Sequence, residues 1–154
     1  MISFKVMGEP IGKGRPRVTV KKGKQKDSAV FAHAYTPKRT KEYEDKVRFE
    51  FMASTCEKMP VFGKGVPLKA EVTIAFEIPK SFSKKKQEQC RQGLLVPTKK
   101  PDVDNVMKCI FDAIGNDLCF HDDAQITEVV AEKIYSLGEP YVEVKIYSRD
   151  WQAE

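Results

Sequence analysis

Ile2, Phe4 and Val6 alternate with polar residues and predict a half-buried strand at the start of the chain. The alternation is cleanest over residues 68 to 78, where Leu68, Ala70, Val72, Ile74, Phe76 and Ile78 fall on one side of an extended segment. After Pro37 the period lengthens. Tyr43, Val47 and Phe51 recur at helical spacing, with Pro37 suited to a first turn and Thr36 or Thr40 nearby as a cap, and predict a helix reaching about Thr55. Val103, Val106, Met107, Ile110, Phe111 and Ile114 trace a single apolar stripe on a second helix. The runs QITEVVAEKIY and YVEVKIY, separated by SLGEP, predict a terminal hairpin with Val142, Val144 and Ile146 on a common face.

Between these elements lie two polar stretches. Gly8, Pro10, Gly12, Gly14 and Pro16 punctuate an irregular segment. RVTV and AVFAHAY then supply strand residues around the charged connection KKGKQKDS, which together predict a basic hairpin. SKKKQEQCRQG is polar nearly all round and stops at Gly93, as a short exposed helix or a flap would. The predicted order is strand, basic hairpin, long helix, strand, basic polar segment, short helix and final hairpin. Without an internal repeat or a linker, 154 residues suit a single domain spanning 1–154. The fold expected is α+β, a mixed sheet with helices packed on it.

Composition narrows the function classes. At 41% hydrophobic and 32% charged residues the chain can build a core, and no apolar run approaches the roughly 20 residues of a bilayer span. The first residues also lack the pattern of a secretory signal, so a cytoplasmic protein with no membrane partner is expected. Cys56, Cys90, Cys109 and Cys119 form no Cys-x-x-Cys pair, and His33 and His121 lack metal-finger spacing to them, which argues for free thiols rather than zinc. The net charge of +5 hides an asymmetry. Residues 1–46 carry 12 basic and 5 acidic side chains, and residues 80–100 carry 7 and 1. Residues 101–154 reverse this with 4 basic and 12 acidic. Two basic segments and one acidic segment on a single domain suggest a positive surface for a polyanion with an acidic centre set into it.

The acidic centre has candidates. In PDVDN, Asp102 would stand at a helix N-cap and Asp104 in the first turn, where exposed backbone N–H groups favour negative charge. Capping accounts for one of the two, whereas Mg²⁺ is held by one or two carboxylates with waters and substrate phosphates, so a metal site competes with the capping reading. Lys108, four residues after Asp104, could form an ordinary helical ion pair or hold a phosphate. Asp122 and Asp123 sit in HDDA, an ordinary turn composition by itself. GKGRPR is a weak nucleotide-loop signal, lacking Walker spacing. Lys13, Arg15, Arg17, Lys21, Lys22, Lys24 and Lys26 read better as a grip on a phosphate backbone, to which Lys84, Lys85 and Lys86 add a second basic cluster.

PDVDNVMKCIFDAI followed by HDDAQI resembles the signature of the RusA family of Holliday junction resolvases, and KGRPRVT with YTPKRTKEYE resembles the N-terminal half of its phage and Gram-positive members. The resemblance implies a homodimeric endonuclease that nicks a four-way DNA junction in two symmetry-related strands, a symmetry that a C₂ dimer matches. It implies catalytic acids Asp102, Asp104 and Asp123 on Mg²⁺ or Mn²⁺, Lys108 as the essential basic side chain, and no other small-molecule cofactor. Asp122 matches the neighbouring acid, while His121 and Cys119 replace apolar residues expected beside the pair. Two other readings compete with a resolvase: a non-catalytic nucleic-acid-binding module in which PDVDN only caps a helix, and a flap or branched-DNA nuclease sharing the same site.

Overall fold

The computed structural model describes residues 1–21 and 31–149. In chain order it contains β1 (Ile2–Met7), β2 (Arg17–Lys21), β3 (Phe31–Tyr35), α1 (Lys38–Ser54), β4 (Leu68–Phe76), α2 (Lys84–Arg91), α3 (Val103–Ile114), a 3₁₀ turn at Asp123–Gln125, β5 (Ile126–Tyr135) and β6 (Tyr141–Ser148). The predicted α+β class holds, and every predicted strand and helix is present. The polar segment at 84–91 takes the helical form of its two alternatives, with Ser83 capping it by accepting from the Lys86 amide.

One pairing differs from expectation. β5 and β6 are not a hairpin: the four-stranded sheet runs β1-β6-β4-β5, so β4 lies between them, antiparallel to β6 and parallel to β5. β4 carries Leu68, Ala70, Val72, Ile74, Ala75 and Phe76 wholly out of solvent, and a strand this apolar is stable in the interior of a sheet rather than at its edge. The connection at 136–140 arches over the end of β4, where the Ser136 amide donates to the Phe76 carbonyl. Strands lie roughly 4.8 Å apart, so stepping over one neighbour asks for only about 10 Å, well within reach of five residues. The β2–β3 hairpin forms as predicted and stands apart as its own two-stranded sheet.

α1 and α3 pack together over one face of the large sheet. Val47 and Phe51 of α1, Val106, Ile110 and Ile114 of α3, and Val6, Ala70, Val72, Ile74, Val142, Val144 and Ile146 of the sheet make one core. Each of the three α3 side chains contributes about 1.5–3 kcal/mol on burial. Phe4 meets Phe51 edge to face, centroids 5.9 Å apart, which fixes α1 against β1. Thr40 does not cap α1. Its hydroxyl instead accepts the Gly14 amide at 3.1 Å, and the N-cap position falls to Pro37 with no side-chain bond.

All four cysteines are free, Cys56 at the surface and the others buried. Burial pushes the thiols of Cys109 and Cys119 up to about 12, so they pack as apolar side chains. Among the described residues no helix is long and apolar enough to cross a membrane.

Candidate active site

The irregular segment before β2 is docked onto both helices. The Lys13 amide donates to the Asn105 carbonyl at 2.8 Å, and a Cβ on Gly12 would stand 2.9 Å from that of Asn105 and 3.0 Å from that of Pro101. Glycine at 12 therefore lets the segment lie directly on the start of α3. Lys13 then inserts its ammonium between Glu44 of α1 and Asp112 of α3, the latter 2.8 Å away. Burial alone would lower its pKa, but the two carboxylates outweigh that and raise it above the ordinary lysine value. Of the residues expected to grip DNA, Lys13 is thus internally paired. Arg15 and Arg17 are exposed with no hydrogen bond or ion pair among the described residues. Lys21 ends β2, and Lys84, Lys85 and Lys86 line the first turn of α2, with Lys86 over the Phe82 ring at 3.9 Å. Lys22, Lys24 and Lys26 lie outside the described residues.

Asp102 occupies the N-cap position of α3, yet its side chain makes no capping bond. Its two carboxylate oxygens accept instead from the Lys100 ammonium, at 2.8 and 2.6 Å. A carboxylate free of the helix end and already holding a cation with both oxygens has the chemistry a divalent ion needs. Asp104 is exposed in the first turn and forms no ion pair with Lys108. Both groups stand on one side of α3, unengaged and facing solvent. The ordinary explanations for this constellation, a cap and an i,i+4 pair, are absent.

Asp122 and Asp123 have separate roles. Asp122 caps the 3₁₀ turn, accepting from the Ala124 amide at 2.8 Å. Asp123 has no partner among the described residues and lines a small cleft of about 210 Å³ with Asp112, Asn116 and His121. His121 pairs with Asp117 through Nδ1. That cleft lies at the C-terminal end of α3. Asp102 and Asp112 are ten residues apart, about 15 Å along a helix, so a single chain holds Asp123 well away from the other two acids. Among the described residues no three His, Cys, Asp or Glu side chains come close enough to share a metal. The structure brings Asp102 and Asp104 together at one helix end and leaves Asp123 at the other, because GNDLCFHDD closes onto the end of α3 instead of folding back along it.

The residue that fixes this turn is Gln125, whose part in the arrangement the sequence did not reveal. It is buried, its Nε2 donates to the carbonyls of Gly63 and Val66, and its Oε1 accepts from the amides of His121 and Asp122. A glutamine inside an otherwise acidic turn was the available signal. Arg39 and Lys100, which no sequence motif singled out, both line a cleft of about 870 Å³ next to the start of α3.

Comparison with known proteins gives a consistent picture. The profile described as Endodeoxyribonuclease RusA matches residues 7–147. A Bacillus subtilis (strain 168) protein, named Uncharacterized protein YqaN, is 37% identical over 147 residues, covering 94% of each chain.

Proposed function

Because the chain belongs to the RusA family of Holliday junction resolving endodeoxyribonucleases, we propose that it cleaves the strands of a four-way DNA junction at a site built on Asp102, Asp104 and Lys108, with Mg²⁺ or Mn²⁺ as its cation. The observation that carries this reading is the start of α3: Asp102 holds the Lys100 ammonium instead of capping the helix, and Asp104 and Lys108 are exposed and do not pair with each other. Local stability does not explain Asp104 and Lys108, and residues that break local rules without compensation mark functional sites. A divalent ion on these carboxylates would supply Lewis acidity and a water of lowered pKa. Lys108 holds the phosphate undergoing cleavage, and the exposed Arg15 and Arg17 hold its neighbours.

Asp123 joins this site from a second copy. Within one chain it lies at the far end of α3, but in a two-fold dimer whose α3 helices run antiparallel, the C-terminal end of one helix meets the N-terminal end of the other. Each of two sites then draws Asp102 and Asp104 from one subunit and Asp123 from its partner, and the pair of sites matches the two-fold symmetry of a junction.

The test of the reading is junction cleavage by the Asp104→Asn variant. The variant should bind a four-way junction as wild type does and fail to nick it, and wild-type cleavage should stop with EDTA and return with Mg²⁺. Turnover that survives either change would refute the assignment, and binding without any wild-type turnover would leave a DNA-binding module.

A further inference from the structure

Beside Asp102 opens a cleft of about 870 Å³, bounded by the segment before β2, the first turn of α1 and the turn at Lys100 and Pro101. Its lining is mixed: Ile11, Pro37 and Pro101 are among its apolar walls, and Arg15, Arg17, Arg39 and Lys100 outnumber the single carboxylate, Glu9. Gly14 keeps it open: a Cβ there would lie 2.9 Å from the Thr40 hydroxyl and 3.0 Å from the Pro37 ring. Arg39 is exposed and has no hydrogen bond or ion pair among the described residues.

The charge of α1 is the wrong way round for a helix on its own. Lys38, Arg39 and Lys41 occupy its first residues and no acid does, although the partial positive charge at a helix start disfavours cations. Lys38 offsets its charge with Glu42 at 3.6 Å, while Arg39 lines the cleft with no ion pair among the described residues. An anion in the cleft would remove that conflict. The anion is not a bare phosphate, since apolar walls would give it nothing, nor an intact duplex, whose base faces are hidden in the stack. An unstacked nucleotide offers both a base face and a phosphate, and a cleft of this size is within the roughly 300–1,000 Å³ of small-ligand sites.

Resting on the nuclease reading above, we propose that this cleft receives the one nucleotide adjoining the cleaved phosphodiester, its base against the proline wall and its phosphate on Arg39. Lys100 and Pro101 form both the lip of the cleft and the approach to Asp102, so the strand passes from one site directly into the other. A four-way junction presents such a nucleotide at its crossover, where strands leave one stack for another. Occupancy of the cleft thereby favours junctions over plain duplex.

The experiment uses the full chain in EDTA with junctions carrying 2-aminopurine, a base whose fluorescence rises when it unstacks, placed next to the mapped nick or several pairs into an arm. Wild type should raise the signal several-fold only beside the nick. Arg39→Ala should abolish the rise and lower the salt slope of binding by about one, while Lys38→Ala, which removes an equal charge one residue away, should leave the rise intact. No rise beside the nick, an equal rise deep in the arm, or Arg39→Ala behaving like Lys38→Ala overturns the proposal. Any of these outcomes with Mg²⁺-dependent cleavage intact in wild type leaves the nuclease reading standing; loss of that cleavage reaction in wild type refutes the nuclease reading by itself.

Discussion

Gln125 reaches 62 residues back along the chain to donate from its side-chain amide to the carbonyl of Gly63, 2.9 Å away, and in doing so anchors the turn that carries Asp123. The same amide bonds the Val66 carbonyl at 3.1 Å, and its oxygen holds the His121 amide at 3.0 Å. All the hydrogen-bonding capacity at this buried position is used to hold one loop in place.

Replacing Gln125 by Leu keeps the bulk and strands those backbone groups. Unfolding free energy should fall by about 2–3 kcal/mol, the cost of leaving buried polar groups unpaired. Junction cleavage should fall far more than junction binding, since the DNA grip lies on other elements. Denaturant unfolding paired with a cleavage and binding assay checks this, and equal losses in both activities would place Gln125 in the grip.

Lys13 joins the segment before β2 to both helices, and its removal should register as stability. Lys13→Met leaves Glu44, largely shielded from solvent, without a partner, and should cost about 1–2 kcal/mol, more than an exposed ion pair contributes. The folded pKa of Lys13 is raised, so its contribution is complete below the ordinary lysine value of about 10.4 and is lost as pH climbs through the higher folded value. The gap between wild type and Lys13→Met should be constant from neutral pH to about 10 and close above that. A gap that closes between pH 6 and 8 would assign it to another group.

Arg15 and Arg17 differ from Lys13 in having no partner among the described residues. Substituting both by Ala should leave the melting temperature nearly unchanged and reduce the slope of log binding against log salt by about one for each DNA phosphate that is no longer neutralised. An unaltered slope removes them from the DNA interface.

The apolar pattern carried most of the fold, because α1, α3, β1 and β4 bury residues at helical or two-residue spacing and each pattern is complete within its own segment. The order of strands was not legible. SLGEP between two strand-like runs has the look of a hairpin, and only competition with β4 for the interior of the sheet sends β5 and β6 to opposite sides of it. The site divides in the same way. Asp102 and Asp104 are neighbours in sequence and their pairing at a helix start could be read directly, whereas the place of Asp123 depends on how Gln125 packs against residues 59 to 62 positions earlier. Lys13 stood among basic neighbours, and only the fold reveals that Glu44 and Asp112 already claim its charge.

The central claim is that an active site takes Asp104 from one subunit and Asp123 from the other, and mixing two inactive variants tests it most directly. Asp104→Asn and Asp123→Asn proteins, unfolded together and refolded so that subunits exchange, form mixed dimers in which one site has neither acid and the other keeps both. Nicking of the junction should reappear at about a quarter of the wild-type site concentration, since half the dimers are mixed and one site in each is intact. If the refolded mixture binds the junction and forms mixed dimers but stays as inactive as either variant alone, the three acids do not meet across a dimer and the account is contradicted.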